Sequence, residues 1–308
     1  MDLIEQAARR LEQLRQAGVE VPADAGEPPP QAASPITKVP AEAAKTPPVA
    51  PGAAEPAKPP VQSRRIELDL DALAKSHILG PNTPRSQAAD EYRVIKRPLI
   101  DNAMGKGAAP VENGNLIMVT SALPGEGKSF TAINLAMSIA MELDNTVMLV
   151  DADVARPSVL NMLGLPPAKG LLDVLAEKSV DLSQVLLRTN VEKLTLLPAG
   201  TQHPRATELL ASDAMTALLE DMGSRYADRI IIFDSPPLLL TTESRVLATH
   251  MGQVLMVVQA ERTLQADVKH ALSTIESCPV RMVVLNKTRG PQSEGYGYGY
   301  GYGYGYGA

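Results

Sequence analysis

The stretch NLIMVTSALPGEGKSF, residues 115–130, decides how the rest of the chain is read. Its first half is an almost unbroken apolar run, the composition of a strand covered on both faces. Its second half is a glycine-containing turn that runs into SFTAINLAMSIAMEL (129–143), where apolar residues recur at helical spacing. Strand, glycine turn and helix in that order make a phosphate cradle, because backbone N–H groups of the turn and the positive end of the helix face the same point. The spacing is close to that of a P-loop: Lys128 is placed to reach β- and γ-phosphates and Ser129 to offer its hydroxyl to Mg²⁺. Pro124, Gly125, Glu126, Gly127, Lys128, Ser129 and Phe130 are therefore the candidate nucleotide-binding residues. The pattern GxxxxGK[ST] asks for glycine at position 122, where this chain has Ala122.

Working outward, TVMLVDAD (146–153), KLTLLPAG (193–200), RIIIFDSPP (229–237), QVLMVVQ (253–259) and RMVVLNK (281–287) have the same apolar character and alternate with helical segments. Buried strands alternating with helices predict an α/β fold, a doubly wound and mainly parallel sheet in three layers. Ligands in such sheets sit beyond the C-terminal ends of the strands. Two of those ends carry carboxylates: MLVDADVARP (148–157) supplies Asp151 and Asp153, and RIIIFDSPP supplies Asp234. Residues at i and i+2 leave a strand on similar headings, so Asp151 and Asp153 are both candidates to face the phosphates, one toward a reacting hydroxyl and one toward the metal. The alternative for this pair is a helix N-cap and a solvated carboxylate. Asp234 stands where the metal-side carboxylate of a P-loop enzyme belongs. Asn286 and Lys287 end the last strand, as an adenine-side contact or as turn residues.

Composition bounds the rest. The 308 residues are 44% hydrophobic with net charge −6, enough for one sizeable core and unlike a general nucleic-acid binder. A single cysteine, Cys278, and four scattered histidines offer neither an internal disulfide nor a structural metal site, so a reducing, cytoplasmic setting is expected. No run is long and apolar enough to span a bilayer, and MDLIEQAARRLEQ is too polar for a signal peptide. In residues 1–18, Ile4, Ala7, Leu11 and Leu14 form the apolar stripe of a short amphipathic helix, a candidate docking element unless it packs back or frays. The proline- and alanine-rich residues 19–63 read as an extended linker, 64–290 as the nucleotide-binding domain and 291–308 as a Gly/Tyr tail. That tail holds six of the eight tyrosines, Tyr296, Tyr298, Tyr300, Tyr302, Tyr304 and Tyr306.

With these motifs in place, residues 85–306 resemble the bacterial tyrosine kinases, P-loop autokinases unrelated in fold to eukaryotic protein kinases. The resemblance rests on PGEGKS (Pro124 to Ser129), on three apolar residues followed by DxD (Met148 to Asp153), on DSPP (Asp234 to Pro237) and on the C-terminal tyrosine cluster. The family also carries ExxRxxR on a helix before the P-loop, used for ring assembly; DEYRVIK (90–96) puts Asp90, Arg93 and Lys96 in those positions. Many relatives have Arg two residues after the second Asp of DxD, where this chain has Ala155 followed by Arg156. A partition-type or carrier ATPase, which hydrolyses ATP to switch dimer state, is the other reading. Such proteins usually place a second lysine five residues before the P-loop lysine, a position held here by Leu123.

The resemblance implies MgATP as the donor, Asp151 nearest the attacking hydroxyl, Lys128 and Asp153 beside it, and Ser129, Asp153 and Asp234 around Mg²⁺. Alternating glycine keeps the tail's backbone free and removes side-chain bulk beside each tyrosine, so the tail suits a substrate; a low-complexity segment or a period-2 strand is the other reading. The resemblance further implies a ring-like homo-oligomer in which a tail reaches a neighbour, a separate membrane activator of the polysaccharide chain-length type, a cognate phosphatase, and a role in exopolysaccharide production at the inner face of the cytoplasmic membrane.

Overall fold

The computed structural model describes residues 63–288 apart from 178 and 227; the expected helix at 1–18, nearly all of the linker and the Gly/Tyr tail lie outside the described residues. Strands β1 (Arg64–Arg65), β2 (Leu116–Ser121), β3 (Thr146–Asp151), β4 (Leu187–Arg188), β5 (Leu194–Leu197), β6 (Arg229–Asp234), β7 (Gln253–Gln259) and β8 (Val280–Asn286) form one sheet. Their spatial order is β1-β4-β5-β3-β6-β2-β7-β8. All neighbours run parallel except β4 and β5. The helices are α1 (Leu70–Lys75), α2 (Gln87–Ala103), α3 (Lys128–Ala140), α4 (Val159–Met162), α5 (Leu171–Ala176), α6 (Leu182–Val185), α7 (Ala206–Leu210), α8 (Asp213–Arg225), α9 (Glu243–Thr249) and α10 (Gln265–Ser273).

The apolar runs divide their side chains between two cores, as a pleat of period two requires. Ile117 and Val119, Val147 and Leu149, and Ile230 and Ile232 enter one cluster with the inner face of α3. Leu116 and Met118, Met148 and Val150, and Ile231 and Phe233 enter the other, with Met215, Leu219 and Met222 of α8. The three-layer, doubly wound sheet expected from sequence is the fold observed. Five of the six longer strands fall within the apolar runs and β8 starts one residue before its run; β1 and β4, two residues each, carry no periodicity to announce them.

One expectation is corrected at the sheet's edge. β8 reads as a strand covered on both faces, yet its residues alternate between partly buried and exposed, with Val283 and Leu285 at 50% and 59% exposure. It has a strand on one side only, and while Met282 and Val284 pack against the core cluster, Val283 and Leu285 on the other face meet solvent. Among the described residues, no helix is long and apolar enough to cross a membrane.

Parallel strands bring the ends of β2, β3, β6, β7 and β8 to one side of the sheet. Asp151 and Asp234 are register partners there, on adjacent strands.

Candidate active site

The loop between β2 and α3 owes its shape to two left-handed glycines, Gly125 at φ 81° and Gly127 at φ 101°. Gly127 is also the N-cap of α3 and makes no side-chain cap hydrogen bond, which leaves first-turn N–H groups available to an anion. The left-handed backbone angle requires glycine at 127, and a Cβ there, 2.2 Å from the Asn286 amide nitrogen, would push that side chain aside.

Glu126 was expected among the nucleotide contacts, and its side chain turns the other way. It is 2% exposed. Its Oε2 accepts the Leu123 N–H at 2.7 Å, and its Oε1 accepts the Gln259 N–H at 3.4 Å and the Thr263 hydroxyl. The carboxylate staples the loop to the end of β7, and only the backbone of Glu126 remains for a phosphate. The Phe130 ring likewise packs against the apolar cluster under α3. Asn286 donates its amide to the Glu126 carbonyl at 2.8 Å, and Lys287, itself at φ 57°, donates to the Gly125 carbonyl at 2.7 Å. The last strand therefore braces the loop from behind, a function that a strand-end Asn-Lys pair does not advertise.

Lys128 projects from the first residue of α3 into the carboxylates. Its Nζ donates to Asp153 Oδ2 at 2.7 Å and to Ser129 Oγ at 3.3 Å, and stands 3.6 Å from Asp234 Oδ1. Burial works against its charge, but Asp234 and Asp153 outweigh it and raise the ammonium above its usual value. Asp234, fully buried, has no hydrogen bond to either oxygen. Burial pushes its carboxyl up to about 6, with the Lys128 charge pulling against that rise. Asp151 is raised further, to about 7, by burial and then by the charge of Asp234 across the strand pair.

The two readings of Asp151 turn out to be compatible. Oδ2 accepts the N–H groups of Ser158 and Val159 at 3.1 and 3.0 Å, in the manner of a cap on α4. Oδ1 is buried and without a hydrogen-bond partner. Asp153 is not a solvated carboxylate: it is 5% exposed and holds Lys128 with one oxygen and the Arg156 N–H with the other. Ser158 was not foreseen. Its hydroxyl donates to Ser129 Oγ at 2.9 Å and so ties the β3 loop to the P-loop, yet an isolated serine after a proline gives no signal in sequence.

Of the assembly candidates, Asp90 and Arg93 form an exposed ion pair on α2. Lys96 departs from the expectation of a surface contact. It is 4% exposed, donates to the Ser138 carbonyl at 2.6 Å and pairs with Glu142 Oε1 at 2.7 Å. It lies inside, against the C-terminal end of the P-loop helix.

The oxygens of Asp151 and Asp234 that make no hydrogen bond and the glycine cradle fit a nucleoside triphosphate with a divalent cation. Among the described residues no three His, Cys, Asp or Glu side chains gather to hold a metal by themselves. Mg²⁺ keeps waters and takes one or two carboxylates together with phosphate oxygens, a donor set that Asp153 and Asp234 beside the glycine loop match.

Comparison with known proteins agrees with this geometry. The family described as "AAA domain" matches residues 114–285. Tyrosine-protein kinase YwqD of Bacillus subtilis (strain 168) is 32% identical over 71% of this chain and 90% of its own length. Succinoglycan biosynthesis transport protein ExoP of Rhizobium meliloti (strain 1021) is 33% identical over 67% of this chain, which spans only 26% of that longer protein. The crystal structure of the chimerical protein CapA2B2 superposes with a TM-score of 0.59 at 27% identity, covering 74% of this chain and 94% of that one.

Proposed function

Because the chain belongs to the bacterial tyrosine-kinase family of P-loop proteins, we propose that it transfers the γ-phosphoryl group of ATP to the tyrosines of its own C-terminal tail. The observation that carries this reading is the convergence of Lys128, Asp151, Asp153 and Asp234 beyond three neighbouring strands, where Asp151 Oδ1 and both oxygens of Asp234 make no hydrogen bond and Lys128 stands among the carboxylates. The first-turn N–H groups of α3 and Lys128 hold the phosphates, and most of the rate comes from positioning and charge neutralisation. Ser129, Asp153 and Asp234 would hold Mg²⁺, which when bound neutralises charge on the β- and γ-phosphates. A tyrosine hydroxyl, with an ordinary pKa near about 10, attacks the γ-phosphorus. As the new O–P bond forms, the bond to the β-phosphate oxygen breaks and ADP leaves. The free oxygen of Asp151 takes the hydroxyl proton.

The tail tyrosines Tyr296 to Tyr306 alternate with glycine, and about 15 extended residues reach about 50 Å, far enough to enter a neighbouring subunit. Each phosphate adds about −1.5 to −2 charge, so a fully modified tail gains about −9 to −12. The unmodified form then assembles, through the Asp90–Arg93 edge of α2, and the heavily modified form disperses; equal sedimentation of the two would overturn this. The name of the succinoglycan biosynthesis transport protein ExoP supports a place in polysaccharide production; as partners the reading takes a membrane-bound activator, with residues 1–18 as the docking element, and a phosphatase that resets the tail. Deleting residues 1–60 should then abolish activator binding.

The deciding experiment is incubation with labelled ATP and mapping of phosphate by mass spectrometry. Phosphate on the tail of the unaltered protein, its loss in Lys128→Met and its absence after tail deletion are expected. Undiminished tail phosphorylation in Lys128→Met would show that the site is wrongly assigned.

A further inference from the structure

One long edge of the sheet is open. Among the described residues β8 pairs with β7 on one side and with no strand on the other. The Ala260 N–H donates to the Asn286 carbonyl at 2.9 Å, so the backbone of Asn286 faces β7. Alternation along the strand then turns the N–H and C=O groups of Met282 and Val284 to β7 and those of Arg281, Val283 and Leu285 outward. The same three residues are the exposed ones. The register Met256↔Val283 and Val258↔Leu285 puts Val283 and Leu285 on the face where β7 enters the core with Ala271 of α10. That layer buries Met256 and Val258 and leaves the two β8 side chains half bare.

An apolar edge with unpaired backbone groups takes up another strand unless charge, proline or a covering segment prevents it. The seven residues of β8 include one charge, Arg281, and no proline. The chain itself supplies a segment of matching pattern. β8 runs into Lys287, whose left-handed φ of 57° ends the extended run, and Gly290 and Pro291 follow, residues that suit a turn. From Gly295 to Tyr306 glycine and tyrosine alternate with period two, so an extended backbone would put every tyrosine on one face. Tyrosine favours strands, and an aromatic side chain opposite a β-branched residue such as Val283 is a favourable cross-strand pair.

We propose that the tail docks on the open edge of its own β8 as an antiparallel strand, with Tyr296 opposite Leu285, Tyr298 opposite Val283 and Tyr300 opposite Arg281. This register leaves 287–295 for the connection, pairs the outward N–H and C=O groups of all three β8 residues, and lays tyrosines over the face that lacks cover. A slip of one residue would set glycines beside Val283 and Leu285 and leave them bare. Tyr302, Tyr304 and Tyr306 run past the first residue of β8, Val280, and stay unpaired. Glycine weakens a strand, so the docking is reversible. Phosphate ends it: modified tyrosines would stand about 7 Å apart on one face, each with about −1.5 to −2 charge, within a Debye length of about 8–10 Å. The pairing rests on the edge and the tail alone. Its consequence, that Tyr302 to Tyr306 take phosphate before Tyr296 to Tyr300, rests on the proposed kinase reaction.

The test is amide-resolved hydrogen exchange on the full chain without nucleotide, beside a chain ending at residue 294. With the tail present, the amides of Arg281, Val283 and Leu285 should exchange more slowly by about tenfold or more, while those of Met282 and Val284, bonded to β7, stay unchanged. Equal exchange in the two chains overturns the proposal. Protection that grows with protein concentration overturns it too, because a second copy would then be the occupant. In the full chain, Tyr298→Pro removes an N–H from the paired segment and should abolish the protection, whereas Tyr304→Pro, beyond that segment, should leave it in place; the same effect from both overturns the register. When ATP is added, phosphate should appear first on Tyr302 to Tyr306, and that order should be lost in Tyr298→Pro; an even spread from the earliest time overturns the sheltering. If the tail is never phosphorylated, the kinase reading fails, and the exchange measured without nucleotide still decides the pairing.

Discussion

Lys96→Met tests the packing that carries the P-loop helix. The Lys96 ammonium is buried and satisfies two groups at once: the Ser138 carbonyl, one of the last in α3, and the Glu142 carboxylate that follows the helix. A cation at a helix C-terminus also complements the helix dipole. Removing one partner of a fully buried pair costs about 3–5 kcal/mol. Here the Glu142 side chain keeps 21% exposure and still has Arg97 at 3.5 Å, so the cost should be smaller, about 2 kcal/mol. For a domain of this size that lowers Tm by about 4–8 °C.

The same substitution should change how stability depends on pH. Burial pushes the Glu142 carboxyl up, but Lys96, Arg97 and Arg93 outweigh it and hold it below the usual range. A folded value below the unfolded one, near about 4.3, means that the pair's contribution is complete above the unfolded pKa and fades as pH falls through the folded one. Lys96→Met should therefore lose most stability near neutrality and approach the unaltered protein at low pH. Melting curves at matched protein concentration from about pH 7 down to about pH 3 read this convergence. Lys96→Arg, which keeps the charge, should retain part of the stability. A Tm drop below about 1 °C at neutral pH, or a drop that is the same at every pH, would refute the reasoning.

Two further substitutions probe the site. Glu126→Gln replaces an acceptor of three hydrogen bonds by a group with one acceptor oxygen and should leave a buried loop or β7 donor unpaired, costing about 1–3 kcal/mol in melting experiments and weakening nucleotide binding, readable by titration calorimetry. Asp151→Asn keeps an oxygen for the Ser158 and Val159 N–H groups but has no carboxylate to accept a proton, so tail phosphorylation should fall by about 10²–10⁴ while ATP affinity is retained; an equal fall in both would point to a structural role instead.

What was legible in the sequence divides along physical lines. The strands, the P-loop and the three carboxylates follow from local patterns: an apolar run of strand length, a glycine turn at fixed spacing, an acidic residue at a strand end. The inward turn of Glu126, the brace from Asn286 and Lys287, and the hydroxyl pair of Ser158 and Ser129 join elements up to 162 residues apart, and no local pattern encodes which loops meet.

Lys96 is the instructive intermediate case, because the sequence contains the answer in a form that motif spacing hides. Steps of three residues suggest a single face, yet at about 100° per residue Arg93 lies about 300° and Lys96 about 240° around the helix from Asp90. On the same wheel Tyr92, Leu99 and Ile100, all buried, fall at about 200°, 180° and 280°. Lys96 thus sits in the middle of the buried arc while Asp90 and Arg93 flank it outside. A lysine there needs an internal acceptor, and the end of a neighbouring helix, with its unpaired carbonyls, is the partner that supplies one. Helical phase therefore assigns the three residues of this motif to two different tasks, two facing solvent where another molecule can meet them and one fixing α2 to the helix that holds the nucleotide.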